Sequence, residues 1–200
     1  MRQTLGGTAR GDSDLTGTDS ARAKEYRHVS TVLARENSDL ADEQRLALAR
    51  RLAELAPAQA DSWWSVATQI DWMLKDLLGA PLAEHPLFPE LIAAWTRAIK
   101  ADPSDSSSPY MKGRDLHRAG LFEDAYAAFM LAGKTETAHP SDIEWPAYWH
   151  YEHAVFDALE CGREDLALPA ARAAIDAGAQ DTDAASLIDR VASETERRPT

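Results

Sequence analysis

Two hundred residues carry 33 acidic and 21 basic side chains, a net charge of -12, with 44% hydrophobic and 27% charged residues. That supplies apolar material for one sizeable core, and the negative charge excludes a general electrostatic grip on nucleic acid or anionic lipid. Cys161 is the only cysteine, so no intrachain disulfide can form and a reducing, cytoplasmic setting is expected.

Residues 1–20 are rich in Gly, Thr, Ser and Asp and read as a disordered tail without the apolar run of a secretory signal. Beyond them the chain alternates helix and short break, and no segment approaches the ~18 apolar residues of a membrane span. "ARAKEYRHVSTVLAREN" places Tyr26, Val29, Val32 and Leu33 on one helical face. Asn37, Ser38 and Asp39 break it and cap the next helix, "DEQRLALARRLAELA", which stops at Pro57. "WWSVATQIDWMLKDLL" follows, then a loop over residues 79–90 with Pro81, Pro86 and Pro89. "ELIAAWTRAIKA" ends at Pro103, and "YMKGRDLHRA" and "LFEDAYAAFMLAG" flank a turn at Gly120. "EWPAYWHYEHAVFDALE" leads through Gly162 into "REDLALPAARAAIDA", whose Pro169 is tolerated if the helix starts near Leu166 or Leu168. "DAASLIDRVASETER" closes the chain, and no strand is expected.

The helices share a register. Leu91, Trp95 and Ala98 lie 34 residues before Ala125, Phe129 and Ala132, and Ala167, Ala171 and Ala174 follow 42 residues later. Trp63, Val66, Ala67 and Ile70 match Pro109, Lys112, Gly113 and Leu116, which match Tyr151, Ala154, Val155 and Ala158. Small residues at Ala67, Gly113 and Ala125 allow paired helices to approach closely. Trp95 and Phe129 fill the space toward the next pair, and Trp63 and Trp95 are expected in the core. Gly120 permits the tight interhelical turn.

These spacings resemble the tetratricopeptide repeat, with its ~34-residue period and W-x2-L-G-x2-Y…A-x3-F…P pattern. The resemblance implies an all-α, right-handed α-α solenoid. About four hairpins are expected over residues 21–56, 59–102, 106–133 and 145–178, with a capping helix over 181–197, in one domain spanning 21–198. The second hairpin carries 12 extra residues between Ala67 and Leu91, and eight more fall between Ala132 and Tyr148.

The resemblance also implies a concave groove lined by the first helix of each hairpin. By register its residues are Trp64, Thr68, Asp71 and Trp72; Tyr110, Arg114, His117 and Arg118; and Trp149, Glu152, Phe156 and Glu160. Tyr110, Arg114, His117 and Arg118 share one helical face. Two arginines suit a carboxylate, and the aromatic residues suit an apolar anchor. The expected function is therefore a non-enzymatic adaptor that binds an acidic or C-terminal peptide of a protein partner without a cofactor. Grooves in the family that hold acidic C-terminal tails use a Lys/Asn arrangement; Arg114 stands here in an Asn slot, so that ligand does not carry over.

Three alternatives arise. Arg114 and Arg118 could make surface ion pairs with Asp115 or with acidic residues of a neighbouring hairpin, which leaves a solvated face with no ligand. His117, His150, Glu152 and His153 could serve a small metal- or ligand-dependent enzyme, with His150 and His153 as metal ligands. Their spacing lacks the i, i+4 histidine pair of zinc peptidases, and no Cys/His cluster completes a tetrahedral site. Alternatively, loop 79–90 could display Leu82, Leu87 and Phe88 to a second copy and form a homo-oligomer.

Overall fold

The computed structural model describes residues 20–34, 40–141, 145–179 and 186. Among them are helices and connecting turns and no strand. The order is α1 (Ser20–Leu33), α2 (Asp42–Leu55), α3 (Ala60–Met73), the single turn α4 (Ala80–Ala83), α5 (Phe88–Ala101), α6 (Ser107–Arg118), α7 (Phe122–Ala138), α8 (Ala147–Glu160) and α9 (Glu164–Asp176). The hairpins α1/α2, α3/α5, α6/α7 and α8/α9 stack through α2 on α3, α5 on α6 and α7 on α8. The expected tail over 1–20 and capping helix over 181–197 lie outside the described residues, apart from Ser20 and Ser186.

Local chemistry sets the helix ends. The Gln44 side chain accepts the Ala41 N–H at 3.0 Å and opens α2. Arg22 closes the same helix by donating to the carbonyls of Leu55 and Glu54 at 2.8 and 2.9 Å, where the helix dipole favours a cation. Gly120, at φ 75°, reverses the chain between α6 and α7. Its left-handed conformation lets the Leu121 N–H reach the Leu116 carbonyl at 2.9 Å.

The small-residue register does what its spacing predicts. Ala67, Ala125, Ala132, Ala154, Ala158, Ala171 and Ala174 are fully buried between helices. A Cβ on Gly113 would come within 2.9 Å of the Phe129 ring, so α6 and α7 approach only because none is there. Trp95 is fully buried, and its ring reaches from α5 to α6.

Several expectations need correction. Leu82 and Phe88 are buried in the core and Leu87 is half-buried, so loop 79–90 does not present them to a second copy. The insertion folds inward around α4, and the Gly79 N–H donates to the Arg118 carbonyl at 2.7 Å, tying it to the end of α6. α3 ends at Met73 and does not run on to Leu78: Leu74 turns into the core and its N–H is shared by the Ile70 and Asp71 carbonyls. α7 runs on to Ala138, taking up part of the insertion, and Gly133 within it passes beneath the Tyr151 ring. α9 starts at Glu164, which leaves Pro169 inside it. Trp63 is half-buried at the edge, with its indole N–H on the Pro57 carbonyl and Arg97 over its ring. Its neighbour Trp64 turns toward the next hairpin, edge-on to Trp95 and hydrogen-bonded to Ser108 Oγ at 2.6 Å.

Candidate functional site

The first helices α3, α6 and α8 carry the expected groove residues, and two polar clusters tie them together. Asp71 of α3 meets two arginines of α6. Arg114 Nη2 lies 2.5 Å from Asp71 Oδ2, and Arg118 Nη1 lies 2.5 Å from Asp71 Oδ1. Both guanidinium groups also contact the buried Asp115, at 3.0 and 3.1 Å. Asp115 Oδ2 accepts the Trp95 indole N–H at 2.8 Å, and Arg118 Nη2 donates to the Leu74 carbonyl at 2.8 Å. Burial pushes the Asp115 carboxyl up from its ordinary range, opposed mainly by Arg114. Two carboxylates and two guanidiniums make a formally neutral quartet. The arginines read as a carboxylate receptor are thus engaged within the chain, although Arg114 Nη1 donates to no described residue.

The second cluster joins α6 to α8. His117, 49% exposed at its side chain, places Nδ1 at 2.6 Å from Oδ1 of the fully buried Asp157. Burial pushes the Asp157 carboxyl up to about 6. Above this pair, Tyr110 is the hub of an aromatic group, with ring centroids 4.9 Å from Trp145, 5.0 Å from Trp149 and 5.4 Å from His150. His153 stacks on Phe129 at 5.0 Å and meets Trp149 edge-on at 4.5 Å. Burial pulls His150 down to about 4 and lowers His153 as well, so both rings are neutral near pH 7. Beneath His150, Glu136 of α7 accepts from Ser106 Oγ and from the Ser141 N–H and hydroxyl.

The predicted residues therefore separate into three environments. Trp64, Tyr110 and Trp149 are half-buried and pack between hairpins. Asp71, Arg114, Arg118 and His117 form the polar links. Thr68, Trp72, Phe156 and Glu160 are exposed and Glu152 is half-buried, with Trp72 carrying Lys75 Nζ 4.0 Å above its ring. No group of three or more His, Cys, Asp or Glu among the described residues could hold a metal ion, so the geometry gives His117, His150, Glu152 and His153 no common centre. Cys161 is exposed and its thiol is pushed up, first by burial and then by Glu123 and Asp157. Asp115 and Asp157 are not among the expected groove residues; Asp115 does pair with Arg114 and Arg118 as the ion-pair alternative expects, but fully buried rather than at the surface. The available signal was a charged residue recurring 42 positions apart at a register site that faces inward.

No protein-family model matches the chain, and no curated protein does. Solved structures do. The crystal structure of MamA is similar, with TM-score 0.52 and 12% identity over 78% of this chain and 78% of that one. A MamA RS-1 ArsTM double mutant gives TM-score 0.52 and 16% identity over 80% of this chain and 78% of that one. Pseudomonas aeruginosa PilF gives TM-score 0.48 and 18% identity over 88% and 69%. No described helix is long and apolar enough to cross a membrane. Hairpins stacked in chain order, a small-residue register and the likeness to MamA together give the described residues a tetratricopeptide-like helical-repeat fold, an all-α solenoid.

Proposed function

We propose that the chain is a non-catalytic protein-interaction module that works in the cytoplasm and holds a segment of a partner protein along the face made by α3, α6 and α8. The observation that carries this reading is the exposure of Trp72, at 58%, and Phe156, at 45%, on first helices flanking Arg114. Thr68, Arg114 and Phe156 occupy one register position in successive first helices and so form a row across the face. Single exposed apolar side chains are ordinary; two of them, on α3 and α8 with Arg114 of α6 between, are where an extended segment would gain contacts with several hairpins at once. Trp72 and Phe156 supply apolar anchors. The outer edge of Arg114 is where an acidic side chain or a C-terminal carboxylate of the segment would be received, since the inner edge holds Asp71 and Asp115.

Pull-down from cell extract with wild type, Trp72→Ala/Phe156→Ala and Arg114→Ala tests this reading. All three proteins should show the same helical circular dichroism. The double variant should lose the bound partner, and Arg114→Ala should weaken it by roughly tenfold, the size of one charge-assisted hydrogen bond. Recovery of the same partners in the same amounts by all three would refute it.

A further inference from the structure

α6 meets its two neighbouring first helices through links of the same plan and different chemistry. Asp115 and Asp157 hold one register position, 42 residues apart, and both are fully buried. Asp115 receives the Trp95 indole and two guanidiniums, and those guanidiniums also hold Asp71 of α3. Arginine keeps its charge at any pH the fold survives. In the next hairpin the position of Trp95 is taken by Phe129, 34 residues on, which has no N–H to offer. The positions of Arg114 and Arg118 are taken in α8 by Phe156 and Glu160. Asp157 is left with His117 at 2.6 Å, and its Oδ2 receives no hydrogen bond from the described residues.

We propose that the junction between the third and fourth hairpins is a proton-operated clasp: the His117–Asp157 pair holds α8 firmly on α6 when it carries one proton and loosely when it carries none, whereas the junction before it keeps the fixed positive charges of Arg114 and Arg118 beside its buried carboxylate. With one proton the pair is neutral overall. Without it, the buried Asp157 carboxylate has a half-exposed partner on Oδ1 and no donor among the described residues on Oδ2, and such a group is costly to keep out of water.

The neighbouring charges act in the same sense or are separable. On α8, Glu160 disfavours a second negative charge at Asp157. His153 lies near His117 and is held neutral by burial, as is His150, which faces Glu136 of α7. At the turn after α8 the Cys161 thiol sits among Glu123 of α7, Asp157, Glu160 and Arg163. Asp157 has its folded value, about 6, above its ordinary 3.8. Its contribution to stability is therefore complete below the ordinary value and is lost as pH rises through about 6. From pH 5 to pH 8 that loss is about tenfold in the opening equilibrium. His150 and His153 act oppositely over the same range, so the effect is read as a difference between proteins that share them.

Hydrogen exchange at pH 5 to 8, corrected for the intrinsic pH dependence of amide exchange, tests the clasp in full-length wild type, Asp157→Asn and His117→Arg. In residues 147–176 the ratio of opening between wild type and Asp157→Asn should shift about tenfold across that range, while residues 60–101 keep a constant ratio. His117→Arg, which transplants the chemistry of the preceding junction onto a half-exposed position, should show the shallower profile of a fixed charge pair. Identical pH profiles in the three proteins, or a shift of equal size in residues 60–101, would overturn the proposal.

Discussion

Gly133 shows how a single missing atom sets a helix separation. A Cβ there would stand 2.6 Å from the Tyr151 ring, closer than the 2.9 Å that a Cβ on Gly113 would reach to Phe129. Alanine gains about 1 kcal/mol of helix propensity over glycine, but crowding a packed ring costs about 1–3 kcal/mol. Gly133→Ala should therefore lower the urea midpoint, and by more than Gly113→Ala. Trp95→Phe leaves Asp115 Oδ2 without its indole donor and should cost about 1–3 kcal/mol in the same measurement. Gly113, Ala125 and Phe129 were legible because size alternates along a fixed period. The burial of Asp115 and Asp157 was not, because a charged side chain on a helix is usually solvated, and only the packing shows that these two point inward. The arginine stripe was legible as a face; that Asp71 already occupies it depends on how α3 lies against α6.

Among the elements, α9 carries an avoidable defect. Pro169 lies in its sixth position, lacks the N–H that would bond the Asp165 carbonyl, and exposes its ring to solvent. Pro169→Ala should stabilise the protein by about 2 kcal/mol, a gain visible as a higher melting temperature; an unchanged melt would mean that the helix pays no penalty for this proline. Sequence reasoning expected that helix to begin near Leu166 or Leu168, since proline favours first turns. The earlier start follows from Glu164 and Asp165 at the positive end of the helix and from Gly162, whose φ of 67° turns the chain immediately before it. The hairpin count and order could be read from glycine and proline punctuation. Helix ends could not: α7 continues through Gly133 to Ala138, and no proline or turn signal marks that end ahead of the His139–Pro140 step.

For the molecule as a whole, contacts are local in sequence, since each long helix packs chiefly on its neighbours along the chain. Such a topology folds quickly and opens from its ends. Acid should weaken it through the buried imidazoles. His150 is held near 4 against an ordinary 6.5, so the unfolded chain takes up a proton that the folded one refuses, and stability falls as pH drops below about 6.5. His150→Gln removes this contribution, so between pH 7.5 and pH 5 its stability relative to wild type should rise by about 2 kcal/mol in thermal melts. A constant difference across that range would show that His150 is not neutral in the fold. The inward course of residues 79–90 bears on how such chains diversify. Because Leu82 and Phe88 plug the second hairpin, trimming that unit to the common period would leave a hole rather than a tidier array. What looks like surplus length has become a wedge, and this hairpin can no longer be copied, swapped or removed as an interchangeable brick.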